Sequence, residues 1–191
     1  MVVFCYPLVQ KEVSDMSFYQ GKNFELCYPD KKYATDLFWA IDNDRTELEK
    51  WLPWVKETNT VKDEENFLKY VQAQNEQQKM LALTIIVDKT ACGMIDLHAL
   101  DLNAKTAEIG YWLASPYQHQ GIITVGAEQL VQYALTKLGL VRVGLLADVR
   151  NISSLRVAKR LGFKPEGVLR SYLRHNGQNI DVYSFSKLNT D

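Results

Sequence analysis

Three groups of residues have types and spacings that could do chemistry. The first is Tyr117-Gln118-His119-Gln120-Gly121-Ile122-Ile123-Thr124, which opens a run whose apolar residues Ile122, Val125, Leu130, Tyr133, Ala134 and Leu138 recur mostly at three- and four-residue spacings. A strand, a tight glycine turn and a helix start aim several backbone N–H groups at one point, and the helix dipole adds to their pull on an anion. Such a turn holds a pyrophosphate with few cationic side chains, because glycine lets the backbone come close to it. A charged imidazole at His119 would help, although the backbone suffices. The second group surrounds Glu108, in the strand-like segment 107–113 just before the turn. Period-two alternation puts Ala107, Ile109, Tyr111 and Leu113 on one face and Glu108, Gly110 and Trp112 on the other. A carboxylate there either faces solvent or serves as a proton acceptor, with a raised pKa if the cleft is dry. The third is Asn151-x-x-Ser154, an amide and a hydroxyl where a helix is expected to start.

The elements that must position these groups follow from pattern. A short strand over 23–28 ends at Pro29-Asp30, and Asp30 is placed to cap a helix through Tyr33, Leu37, Phe38 and Ile41. A second helical piece holds Leu48, Trp51 and Leu52 before Pro53, and a third covers 61–80. Asp42, Asp44, Glu47, Glu49, Glu57, Asp63, Glu64 and Glu65 crowd this third of the chain. They fit a solvated helix face, or an acidic rim beside Trp51 and Trp54 that attracts a cationic amine. Strands are expected over 81–87, 91–100, 104–113 and 141–149. The glycine-turn helix ends near Leu138-Gly139, a short helix covers 153–161, and a final hairpin pairs 163–173 with 179–188 around Asn176-Gly177. This order gives an α+β domain around one twisted, mainly antiparallel sheet flanked by helices. Residues 1–17 fit poorly and read as an N-terminal extension, with Met16 as an alternative start; the domain covers 18–191.

Composition narrows the function. A chain of 191 residues and net charge −1 has no global pull toward nucleic acid or anionic membrane, and neither is expected as a partner. Cys5, Cys27 and Cys92 match no zinc spacing, and His98, His119 and His175 are scattered, so no metal is expected. No apolar stretch reaches membrane-spanning length, and the N-terminus lacks the basic segment and long apolar core of a signal peptide. A cytoplasmic protein with reduced thiols is the expectation.

Gln118-x-x-Gly121 resembles the Q/R-x-x-G-x-G/A turn of the GCN5-related N-acetyltransferase (GNAT) family, which cradles the pyrophosphate of acetyl-CoA. Ile123 stands where that family prefers Gly or Ala. The Gly-Ile-hydrophobic-Thr variant, with Trp51-Leu-Pro-Trp54, Asn151-x-x-Ser154 and Leu161-Gly162-Phe163, resembles the ribosomal-protein-serine acetyltransferase branch, and the likeness covers about 24–188. It implies a single GNAT-like domain in which 107–113 splays from 141–149 to admit pantetheine. Trp112, Leu113, Gln118, His119, Gln120, Gly121, Ile122, Ile123, Thr124, Asn151 and Ser154 would then bind acetyl-CoA. Backbone N–H groups around 111–113 could stabilise the oxyanion. Trp51, Trp54 and Tyr111 would line the acceptor site, and Glu108 or a water relay would take the amine proton. The tyrosine that many members use to meet the leaving thiolate is replaced by Ala158, which leaves Ser154, otherwise a capping residue, as the implied alternative. The segment 171–175 also lacks the glutamate proposed as base in some members of the branch. The implied reaction is direct acetyl transfer, in a ternary complex, to the N-terminal α-amine of a protein such as a ribosomal protein. A polyamine or aminoglycoside is the rival acceptor, a non-catalytic CoA-binding module the rival class, and a homodimer is a family expectation.

Overall fold

The computed structural model describes residues 17–191. The strands are β1 (Ser17–Gln20), β2 (Glu25–Cys27), β3 (Leu81–Val87), β4 (Thr90–Asp101), β5 (Thr106–Leu113), β6 (Arg142–Asp148), β7 (Lys164–His175) and β8 (Gln178–Leu188). They form one sheet in the order β1-β2-β3-β4-β5-β6-β8-β7. Every neighbouring pair is antiparallel except β5–β6. The extension expected over 1–17, with Met16, lies outside the described residues apart from Ser17, which opens β1. Residues 18–20 complete that edge strand, a segment to which sequence pattern assigns no element.

Local chemistry explains the turns. Asp88 and Lys89 both adopt positive φ, as do Asn176 and Gly177, which is the backbone that lets a two-residue turn follow the right-handed twist of its strands. Asp30 caps a 3₁₀ turn, Lys31–Tyr33, rather than the α-helix itself, by accepting from the Lys32 N–H at 2.8 Å. That turn runs directly into α1 (Ala34–Asp42). Helix α2 is only Arg45–Leu48, so Trp51 falls in the turn after it. Helix α3 (Val61–Glu76) begins with a capping box between Thr60 and Asp63. Helices α4 (Ile122–Thr136) and α5 (Ile152–Arg160) follow β5 and β6.

The period-two pattern of the strands separates two cores. Leu83, Ile85, Ile95, Leu97, Ile109 and Leu145 pack with Leu130, Val131 and Ala158 of α4 and α5. Ala82, Ile86, Ala91 and Met94 pack on the opposite face with Leu37 of α1 and Leu68 and Val71 of α3. Trp112 joins that second face and a third small cluster of Ile41, Leu48 and Val55.

The sheet opens where two separately held halves meet. Strand β5 is bound along β4 from Glu108 to Leu113, and β6 is bound along β8 from Arg142 to Asp148. Between them only Thr106↔Arg142, Ala107↔Val143 and Glu108↔Gly144 pair. From Ile109 onward the two strands diverge, leaving the facing edge of β5 without a strand partner. The expected wedge between these strands is therefore present, with Glu108 at its closed end.

Candidate active site

The glycine turn lies at the open end of this wedge. The 3₁₀ turn Ser115–Tyr117 follows β5, and Gly121 is the residue before α4, at φ 79°. Space does not require glycine there, since an added Cβ would meet nothing within 4 Å; the left-handed backbone does. His119 shares that conformation at φ 63°. No side chain caps α4 and its first turn carries no acid, so its leading N–H groups remain available to an anion. The Gln118 side chain also anchors the loop. Its amide Nε2 donates to the Leu113 carbonyl at 2.8 Å, tying the turn to the end of β5. Asp44 Oδ2 holds the same loop from the other side by accepting from the Ser115 N–H at 2.7 Å.

A hydroxyl pair joins the two sides of the wedge, Tyr111 on β5 and Ser154 on α5. Asn151 Oδ1 accepts from the Ser154 N–H at 3.1 Å, so the asparagine caps α5 and the serine side chain does not. Ser154 Oγ instead lies 2.7 Å from the Tyr111 hydroxyl. Burial pushes the Tyr111 phenol up to about 12. The structure thus turns the Tyr111 hydroxyl toward α5, on the face of the sheet opposite the Trp54–Trp112 pair. Ala158 is fully buried in the core.

The opposite face carries the carboxylate and the indoles. Trp54 and Trp112 meet edge to face with centroids 5.9 Å apart. The loop bearing Trp54 is held by Arg45, whose guanidinium donates to the carbonyls of Val55 at 2.8 Å and Thr58 at 2.5 Å. Trp51 is 38% exposed beside this region. Glu108 sits in a row that sequence reasoning missed. His98 Nδ1 lies 2.7 Å from Asp96 Oδ1, and His98 Nε2 lies 3.6 Å from Glu108 Oε2. Asp96, first, and Glu108 raise the imidazole to about 10, so it is cationic at neutral pH. That imidazolium in turn holds the Glu108 carboxyl below its ordinary value, and Arg142 adds to the effect. The expected upward shift of Glu108 is therefore reversed, because the carboxylate is partly exposed and faces a cation rather than a dry cleft. Glu108 also borders a cavity of about 180 Å³ whose walls include Arg142, Gly144 and Ser184. Arg142 is itself fixed by a two-pronged pair with Glu166, at 2.5 Å on each arm.

The acidic rim is largely spent locally. Asp42 pairs with Arg45, Glu47 with Lys50 and Glu65 with Lys62, while Asp63 closes the capping box. Among the described residues, no group of three His, Cys, Asp or Glu side chains is placed to hold a metal ion. No helix among them is long and apolar enough to cross a membrane.

Comparison with known proteins agrees with this geometry. Residues 25–164 match the model of the acetyltransferase (GNAT) domain. The chain is 34% identical over 158 residues to YdaF of Bacillus subtilis strain 168, provisionally named a ribosomal N-acetyltransferase, covering 82% of this chain and 86% of that protein. It is 29% identical to the ribosomal-protein-serine acetyltransferase of Escherichia coli K12 over 86% of this chain and 93% of the relative. The solved structure of the microcin C7 self-immunity acetyltransferase MccE, in complex with acetyl-CoA and AMP, superposes with a TM-score of 0.84 at 31% identity, over 88% of this chain and 93% of that one. With the splayed strands, the open helix start and these matches together, the chain belongs to the GCN5-related N-acetyltransferase family and is an acetyl-CoA-dependent N-acetyltransferase.

Proposed function

We propose that the acceptor is the N-terminal α-amine of a protein, acetylated by direct transfer in a ternary complex. The observation that carries this reading is the division of the wedge into two faces. Tyr111 and Ser154 stand on the α5 side, whereas Glu108, Trp54 and Trp112 stand on the other, so donor and acceptor approach one opening from opposite sides. Acetyl-CoA would lay its pyrophosphate on the backbone N–H groups of 119–124 and its pantetheine along the free edge of β5, as an added strand does. Asn151, whose side-chain oxygen already caps α5, keeps its amide N–H₂ for a pantetheine carbonyl.

An amine must lose a proton before it attacks. Glu108 stays ionised, so its role is to hold the acceptor's ammonium and pass the proton on to ordered water. The thiolate that leaves meets the Ser154 hydroxyl. A covalent acetyl carrier has no support among the described residues. Cys92 is fully buried and its thiol is pushed up to about 12, and burial raises the half-buried Cys27 thiol as well, so neither is a ready nucleophilic thiolate.

Two findings favour a single amine over a polycation. Three of the eight acids of this region, Asp42, Glu47 and Glu65, are already paired with neighbouring cations, and the names of YdaF and the Escherichia coli relative both refer to the ribosome. The test is thiol release from acetyl-CoA against peptides with free N-termini, polyamines and aminoglycosides. Turnover confined to the peptides is expected. Turnover confined to polyamines or aminoglycosides would replace this acceptor with a small amine, and tight acetyl-CoA binding without turnover would leave only a binding module.

A further inference from the structure

Helix α5 offers no phenol to the wedge, because the residue one turn beyond Ser154 is the buried Ala158. A phenol arrives from the facing wall instead. Tyr111 lies on the segment of β5 that has separated from β6, and its hydroxyl reaches Ser154 Oγ at 2.7 Å. The Ser154 backbone N–H is already engaged by Asn151, which frees the serine hydroxyl from capping. Either hydroxyl could donate in this pair; the phenol is the stronger acid and is assigned the donor's part. Ser154 Oγ then accepts from Tyr111 and keeps its own O–H for a third atom.

We propose that Tyr111 is a positioning residue for thioester cleavage: its hydroxyl donates to Ser154 Oγ and so aims the serine O–H at the sulfur of bound acetyl-CoA. This rests on the acetyl-transfer reading above. In the step, the lone pair of the neutral amine forms the C–N bond at the acetyl carbonyl. The C–S bond breaks and its electron pair goes to sulfur. The proton lost by the ammonium has already passed to water at Glu108; the second proton, left on nitrogen once the C–N bond has formed, is released to water to give the amide, and the thiolate takes a proton from water once free. Neither hydroxyl loses its proton overall; burial, which raises the phenol, keeps Tyr111 protonated. A hydrogen bond to a developing anion is stronger than one to the neutral thioester, so it acts on the transition state rather than on binding.

Tyr111→Phe keeps the ring and removes only the hydroxyl. Turnover and acetyl-CoA affinity would be measured for the unsubstituted protein, Tyr111→Phe, Ser154→Ala and the double variant. The expected result is a fall in kcat of about 10- to 100-fold in each single variant, with acetyl-CoA affinity held within about twofold. The double variant should be no slower than Ser154→Ala, because Tyr111 acts through Ser154. Unchanged kcat in Tyr111→Phe, or losses that multiply in the double variant, would overturn the positioning role while leaving acetyl transfer intact. No turnover in the unsubstituted protein on any amine would overturn acetyl transfer itself, and this role with it.

Discussion

Glu108 shows how a neighbour can reverse what a position suggests. On a central strand beside a cofactor turn, a carboxylate in a dry cleft would be pushed up, but here His98 holds it down. His98→Asn removes the cation, so the Glu108 pKa should rise toward its ordinary value. The acidic limb of the kcat/KM profile should then move to higher pH, and an unmoved limb would show that Glu108 does not set it. Glu108→Gln should lower kcat/KM by about 100-fold, read from thiol release. The Asp96–His98–Glu108 row had a signal in the sequence, since Asp96 and His98 are two apart on one strand and share a face. Its third member depended on the β4–β5 register, which sets His98 opposite Glu108. That register includes a bulge between His98 and Asp101, with Ala99 at φ 47°, and no turn residue announces it.

Among the elements, the turn before α4 joins backbone strain to ligand binding. Gly121→Ala forces an L side chain into φ 79° and should cost about 1–2 kcal/mol of stability, measured by denaturant unfolding. Because the added methyl meets empty space, a loss appreciably larger than this would mean that the loop is packed more tightly than the structure shows. Most elements were legible, because strands with β-branched runs and helices with glycine stops declare themselves locally. The second helix was not: a pattern of Leu48, Trp51 and Leu52 suits a helix, but only Arg45–Leu48 is α-helical before Pro53 begins a 3₁₀ turn. Tyr111 shows the same boundary at the site. Alternation assigned it correctly to the face of Ile109 and Leu113, yet its hydroxyl contact with Ser154 depends on where α5 packs, and that is tertiary information.

At the level of the whole molecule, the helical layer that walls the acceptor side buries an acid at a cost. Glu64 is 2% exposed on α3, and burial pushes its carboxyl from 4.5 to about 7. The folded state therefore holds this proton more tightly than the unfolded chain does. The resulting penalty is absent below pH 4.5, grows as pH rises to about 7 and is constant above it, amounting to about 3 kcal/mol. Glu64→Gln should abolish that portion of the pH dependence between pH 4.5 and 8 in denaturant unfolding. An unchanged slope would show that the carboxylate reaches water. The sheet as a whole is two stapled halves joined by three residue pairs, and the proposed transfer takes place in the gap that follows. The most direct test is to offer acetyl-CoA and a peptide carrying both a free α-amine and an internal lysine, and to locate the added acetyl group by mass spectrometry. Acetyl on the α-amine is the expected result; acetyl only on the lysine, or on neither while acetyl-CoA binds, would contradict N-terminal transfer.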